Sequence, residues 1–245
     1  MDYIKSAIVW IIGICFLGIL FPLTFIIWLL AYPFDTDRRT IHWILNLQSL
    51  ILIKIIPLWK VSVEGREKAV RGTTYVIISN HQSIIDILLV NTLGYRYKWI
   101  SKIENMKVPV LGWYLRMADY IIINRGNEES KIDMLARSQE CLNRGTSIML
   151  FPEGTRSLNM ETGIFKRGAF MLAIDACVPI LPVIVDGTGE ILPKHGVIFK
   201  SGFRLKVKVL DPVMPDTFKT KNPDELASRL RDMMNGALKE LRNGN

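Results

Sequence analysis

His81 and Asp86 stand five positions apart at the end of an apolar run, in the segment Asn80-His81-Gln82-Ser83-Ile84-Ile85-Asp86. An imidazole held by a carboxylate is a general base, because the carboxylate fixes the tautomer and stabilises the imidazolium that forms. About seventy residues later a second apolar run ends in Phe151-Pro152-Glu153-Gly154-Thr155-Arg156-Ser157. Pro152 and Gly154 shape a loop there, from which Glu153 and Arg156 are expected to project. A guanidinium is the side chain best suited to bidentate contact with phosphate.

Geometry limits how the first pair can meet. In a continuous helix, residues five apart diverge by about 140°. His81 and Asp86 therefore touch only if a helix starts between them. Ser83 as N-cap with Asp86 at the third helical position makes a capping box and leaves His81 on the loop before it. The same spacing also fits a carboxylate that only caps a helix beside a satisfied loop histidine. The three histidines, His42, His81 and His195, form no metal-spaced cluster. No Gly-x-Ser-x-Gly elbow occurs, and the cap occupies the Ser83 hydroxyl, so the base is expected to activate a substrate hydroxyl directly.

Beyond residue 60 short apolar runs alternate with amphipathic stretches. Strands are predicted at 74–79, 97–101, 120–124, 146–151, 180–185 and 204–210, with the last near a sheet edge. Helices are predicted at 84–93, 110–117, 128–143 and 166–176, and from Pro223 to Leu241 with Asn222 as cap. Such alternation predicts an α/β fold, a mostly parallel sheet flanked by helices. His81, Lys102, Arg125 and Arg156 each follow a predicted strand, and in a parallel sheet those ends converge on one crevice. Lys166 and Arg167 stand at the expected start of a helix whose amides favour anions.

The 245 residues carry 49% hydrophobic side chains and a net charge of +8. Much of the apolar excess lies in residues 7–32, without a charge among them. As a helix these would reach about 39 Å, enough to cross roughly 30 Å of hydrocarbon. The stretch is too long for a signal peptide and lacks a small-x-small cleavage site. A second apolar run, 41–59, has His42, Asn46 and Ser49 in a narrow polar stripe, as in a helix at the interface or returning against the first. Pro22 allows a kink, so a span and a re-entrant hairpin both fit. An N-terminal hydrophobic two-helix membrane motif over 1–60 is thus expected before an α/β domain over 61–245. Arg38 and Arg39 after the first apolar segment put that domain on the cytoplasmic side. The positive charge suits an anionic leaflet or substrate, and no basic-aromatic motif of a nucleic-acid reader is present. Three cysteines, one of them (Cys15) in the first apolar segment, build no disulfide framework.

Asn80–Asp86 resembles the first signature block of the glycerolipid acyltransferases, the 1-acylglycerol-3-phosphate O-acyltransferase family. Tyr120-Ile121-Ile122-Ile123-Asn124-Arg125 resembles the second block, Phe151–Ser157 the third, and Val178-Pro179-Ile180-Leu181-Pro182-Val183 the fourth. All four stand in family order, and the paired N-terminal hydrophobic segments are also typical. Ala118-Asp119 departs from the second block, where a glycine often precedes the apolar run. The resemblance implies that His81 and Asp86 are the catalytic pair, and that Arg125, Glu153, Gly154, Thr155 and Arg156 hold a glycerol phosphate, with Lys102 beside them. It further implies acyl transfer from a thioester of coenzyme A or acyl carrier protein to the sn-2 hydroxyl of membrane-borne lysophosphatidate, with no metal or bound cofactor. A backbone amide near the first block is the expected oxyanion donor.

Overall fold

The computed structural model describes residues 2–56, 59–218 and 222–243. Its strands in chain order are β1 (Lys60–Glu64), β2 (Val76–Ser79), β3 (Tyr97–Lys102), β4 (Ile121–Ile123), β5 (Ser147–Leu150), β6 (Ile180–Asp186) and β7 (Arg204–Val209). They form one sheet in the order β1-β7-β6-β2-β5-β3-β4. β6, β2, β5, β3 and β4 are mutually parallel, β7 runs against β6, and β1 runs with β7. The expected mostly parallel, helix-flanked sheet is what the chain adopts.

Both faces of a parallel sheet are covered, so its strands must be apolar on alternate residues of both sides. Ile77, Met149, Leu181, Val183 and Val185 belong to one core; Val76, Ile78, Ile148, Ile180 and Ile184 belong to the other. The second core is closed by α5 (Glu128–Asn143), α6 (Gly168–Ala176) and α8 (Pro223–Asn243). Asn222 caps α8 as expected, its side chain accepting from the Asp224 amide at 2.9 Å. The first core is closed by α2 (Arg39–Ile55), α3 (Ile85–Asn91) and α4 (Leu111–Met117), with α1 (Asp2–Ala31) outside them.

β7 lies one strand in from the edge, as expected, and the edge itself is β1, residues 60–64, to which the sequence reading assigned no element; residues 57 and 58 of the second apolar run lie outside the described residues. A short helix, α7 (Thr188–Ile191), follows β6 unannounced by any periodicity. The polar stripe of α2 does not face an interface. His42 bonds the Tyr120 hydroxyl and the Tyr95 carbonyl, both at 2.8 Å, and Ser49 accepts from Asn91 at 2.9 Å. A carbonyl needs a donor, so Nε2 carries the hydrogen and Nδ1 accepts from tyrosine. Burial, with Lys98 and Arg96 nearby, pushes the His42 imidazole down to about 4, so it is a neutral structural joint. Ile41, Ile53 and Ile56 share their core with strand residues, so packing is continuous across residue 60.

Among the described residues α1 is the one helix long and apolar enough to cross a membrane, and almost none of it is buried. Gln48 of α2 donates to Thr24 of α1 at 2.7 Å, and Trp10 stacks near Phe199 with ring centres 5.3 Å apart. The rest of α1 presents Ile4, Ile11, Ile14, Ile19 and Leu30 outward, a surface that water does not stabilise.

Candidate active site

β2 ends at Ser79, and its exit is fixed by Asn80, whose side chain donates to the Val185 carbonyl at 2.7 Å and accepts the Val185 amide at 2.9 Å. The chain then turns, and the turn is organised around one carboxylate. Asp86 is fully buried, and its Oδ2 accepts from His81 Nδ1 at 2.8 Å and from the amides of Gln82 and Ser83 at 2.7 and 2.8 Å. Its Oδ1 accepts from the Thr188 hydroxyl. The carboxylate half of the expected capping box is therefore present. The serine half is weak: with α3 starting at Ile85, Ser83 Oγ accepts the Ile85 amide only at 3.4 Å and donates to the Leu192 carbonyl at 2.7 Å. That bond turns the hydroxyl away from the crevice, which removes Ser83 as a nucleophile.

His81 is held in two further ways. Its ring lies flat on Phe151, centroids 3.8 Å apart and planes within 6°, and Phe151 leans on Trp99. Its amide donates to Glu153 Oε1 at 2.8 Å, and its carbonyl accepts the Ser157 amide at 2.7 Å. With Nδ1 on Asp86, no group among the described residues bonds Nε2, and the side chain keeps 15% exposure. The arrangement can take a proton at Nε2 and hand it back.

Glu153 corrects the expectation that it projects toward a ligand. It is buried, and its second oxygen accepts the Gly163 amide at 2.9 Å. Both oxygens thus brace backbone, one under His81 and one across the loop that follows. Burial pushes the Glu153 carboxyl up to about 7; the two amides oppose this and the Asp86 charge adds to it. A folded-state value above the unfolded one gives stability that is full below about 4.5 and lost as pH rises through about 7. The wild type should lose up to about 3 kcal/mol relative to Glu153→Gln between pH 4.5 and 7.5. Denaturant unfolding at the two pH values checks this; parallel stabilities would contradict it.

The amides of His81, Gln82 and Ser83 are all engaged, so these three are not free to hold an oxyanion. Gly154 sits at φ +71°, where a side chain is strained, and an added Cβ would lie 3.1 Å from Lys166 Nζ. Thr155 is exposed, while Arg156 is half-buried; neither makes a side-chain bond among the described residues.

The strands that precede the basic residues lie side by side on one flank of β2. β5 is next to β2, then β3, then β4. The Arg156 backbone is brought near His81 by the next residue, Ser157, whose amide bonds the His81 carbonyl, while Lys102 and Arg125 leave strands about 10 and 14 Å from β2. Lys102 pairs with Glu104 at 2.9 Å. Arg125 is half-buried and lacks a bonded partner among the described residues; burial lowers its pKa, with the charge of Glu104 opposing. The turn before β4 survives without its glycine because Asp119 takes φ +50° itself, a conformation Asp tolerates. Sequence reasoning missed Thr188, Phe151 as a stacking floor and Asn80 as a clamp. Of these, only Thr188, just past the predicted strand end at 185, had a positional signal.

Comparison with known proteins agrees with this architecture. The family model described as Acyltransferase matches residues 60–186. A chloroplastic 1-acyl-sn-glycerol-3-phosphate acyltransferase of Brassica napus is 36% identical over 74% of this chain and 55% of its own length. The Saccharomyces cerevisiae 1-acyl-sn-glycerol-3-phosphate acyltransferase is 33% identical over 74% of this chain and 60% of that protein, and the alpha form of Bos taurus 34% over 78% and 67%. The chain spans about half the length of the plant relatives it matches. The crystal structure of Thermotoga maritima PlsC, a 1-acyl-sn-glycerophosphate acyltransferase, superposes with a TM-score of 0.84 over 98% of this chain and 96% of that one, at 24% identity, a likeness of fold. With more than half its length matched by the family model and several relatives above 30% identity, this chain belongs to the acyltransferase family.

Proposed function

We propose that the protein transfers a fatty acyl group from a thioester to the sn-2 hydroxyl of 1-acyl-sn-glycerol 3-phosphate, giving phosphatidic acid. The observation that carries this reading is the His81–Asp86 pair with an unoccupied Nε2, set beside an unpaired guanidinium in a member of this family. Nε2 takes the hydroxyl proton as that oxygen bonds to the thioester carbon, and the charge of Asp86 stabilises the imidazolium. The tetrahedral intermediate collapses by breaking the carbon–sulfur bond, and the imidazolium returns its proton to the leaving thiolate. With the His81, Gln82 and Ser83 amides engaged, oxyanion donors are sought on the Thr155–Arg156 side. Arg156 binds the phosphate nearest His81, and Lys102 and Arg125 extend the positive field along the sheet edge. The acyl donor is a thioester of coenzyme A or acyl carrier protein, acting as co-substrate. α1 keeps the crevice at the bilayer in which lysophosphatidate resides, with the α/β part on the cytoplasmic side.

Arg156→Ala tests the acceptor. Turnover with lysophosphatidate should fall by about 10–100-fold, as expected for losing a charged hydrogen-bond pair. Turnover with a lysolipid lacking the phosphate should change far less, and Arg156→Lys should recover only part, since a point charge does not reproduce a planar fork. Equal losses on both acceptors would sink the phosphate assignment. Thr188→Val tests how the pair is positioned. Losing the donor on Asp86 Oδ1 should cut kcat about tenfold with the acceptor KM little changed, and Thr188→Ser should restore most of it. A valine variant turning over at the wild-type rate would remove Thr188 from the account.

A further inference from the structure

α8 packs Leu226, Leu230, Met234 and Leu238 into the second core, so most of its length is anchored before its last turn. Two basic residues then fix that turn. Lys206 of β7 donates to the Leu241 carbonyl at 2.8 Å, satisfying an acceptor that a helix end leaves open. Arg242 follows. Its Nε donates to Asp186 Oδ1 at 2.9 Å and its Nη2 to the Met160 carbonyl at 2.9 Å. One planar guanidinium thus joins the last residue of β6 to the loop that continues from Phe151–Ser157.

Both of these partners lead to Asp86. Asp186 is followed by Gly187, at φ +86° and so close to β7 that an added Cβ would lie 2.0 Å from the Arg204 carbonyl oxygen. With no slack there, the place of Asp186 sets that of Thr188, whose hydroxyl donates to Asp86 Oδ1. On the other side the Met160 carbonyl also accepts from the Gln82 side chain at 3.2 Å, and the Gln82 amide donates to Asp86 Oδ2 at 2.7 Å. Asp86, Thr188, Asp186, Arg242, Met160 and Gln82 therefore close a circuit of contacts, with Arg242 opposite Asp86. The circuit is tightly filled. A Cβ on Gly189, next to Thr188, would lie 2.8 Å from the Met160 side chain and 3.3 Å from that of Gln82.

We propose that Arg242 is a positioning residue for acyl transfer, its fork fixing the Thr188 and Gln82 donors on the two oxygens of Asp86 and through them the His81 imidazole. The inference rests on the acyl-transfer reading and adds what holds the catalytic pair from outside the crevice. The Arg242 side chain is 32% exposed, and an ion pair so placed adds little to global stability, so a purely structural role predicts a small effect on turnover. Lysine can pair with Asp186, but a point charge does not reach carboxylate and carbonyl together as a planar fork does.

The test measures transfer by the full chain in detergent–lipid micelles for wild type, Arg242→Ala, Thr188→Val and the double variant. Arg242→Ala should lower kcat about fivefold, with the KM of lysophosphatidate and of the acyl thioester unchanged. In the Thr188→Val background the same replacement should cost less than about twofold, because the main link it acts through is already cut. Arg242→Lys should recover only part of the loss, and it takes the place of alanine in the cycle if that variant does not fold. Losses that multiply independently would overturn the assignment, as would a loss confined to KM or wild-type turnover by Arg242→Lys. A wild type that makes no phosphatidic acid would instead defeat the acyl-transfer reading itself.

Discussion

Replacing His81 with alanine should reduce acyl transfer to lysophosphatidate by about 10²–10⁴-fold while the protein still folds and stays with membranes. The expectation follows from what His81 touches. Its backbone, not its ring, holds the turn together, through the Glu153 carboxylate and the Ser157 amide. The ring contributes the Asp86 bond and the face laid on Phe151. Alanine keeps both backbone bonds and removes only the base, so folding and chemistry separate. On the proposed reading α1 retains the protein at membranes, and its contacts lie elsewhere. Radiolabelled acyl transfer and unfolding curves on the same preparation check both halves. Turnover within a fewfold of wild type would mean that Nε2 is not the base.

Asp86→Asn should cost a similar factor in turnover but only about 1 kcal/mol in stability, and Asp86→Ala should cost distinctly more stability. The four bonds on the carboxylate explain the split. The Gln82 and Ser83 amides and His81 Nδ1 converge on one oxygen. In an asparagine those donors select the amide oxygen, and the amide nitrogen then faces Thr188, whose hydroxyl turns to accept. The histidine tautomer survives and the negative charge does not, so the loss falls on the imidazolium formed during transfer. Alanine instead leaves buried donors unsatisfied, at about 1–3 kcal/mol for such a group. If asparagine turned over normally, the charge on Asp86 would have no part in the reaction.

What the sequence made legible follows how local each feature is. The His81–Asp86 contact was readable because both ends lie within one turn, and the only geometric question was where α3 begins. The mostly parallel sheet was readable from alternating strand and helix signals, though its strand order was not. Glu153 was misread because its partners, the amides of His81 and Gly163, come from a turn 72 residues away and from the far side of its own loop. Thr188 had only its place just past a strand end to mark it, since its partner Asp86 is 102 residues away. The polar stripe of α2 has the spacing of an interfacial helix, but burial against Tyr95, Asn91 and Tyr120 decides its meaning, and no periodicity encodes that. β1 was lost because five residues of mixed polarity beside a long apolar run carry little signal, and pairing with β7 supplies the order.

The central claim is that the unoccupied nitrogen of His81 serves acyl gain by a lysolipid rather than hydrolysis. The most direct measurement incubates the full chain with acyl-labelled thioester and unlabelled lysophosphatidate in bilayers, then cleaves the recovered lipid at each ester position. The account predicts phosphatidic acid with the label at sn-2, accumulating in step with release of free thiol, and neither product above background with His81→Ala. Label recovered as free fatty acid while lysophosphatidate is left unchanged would contradict it.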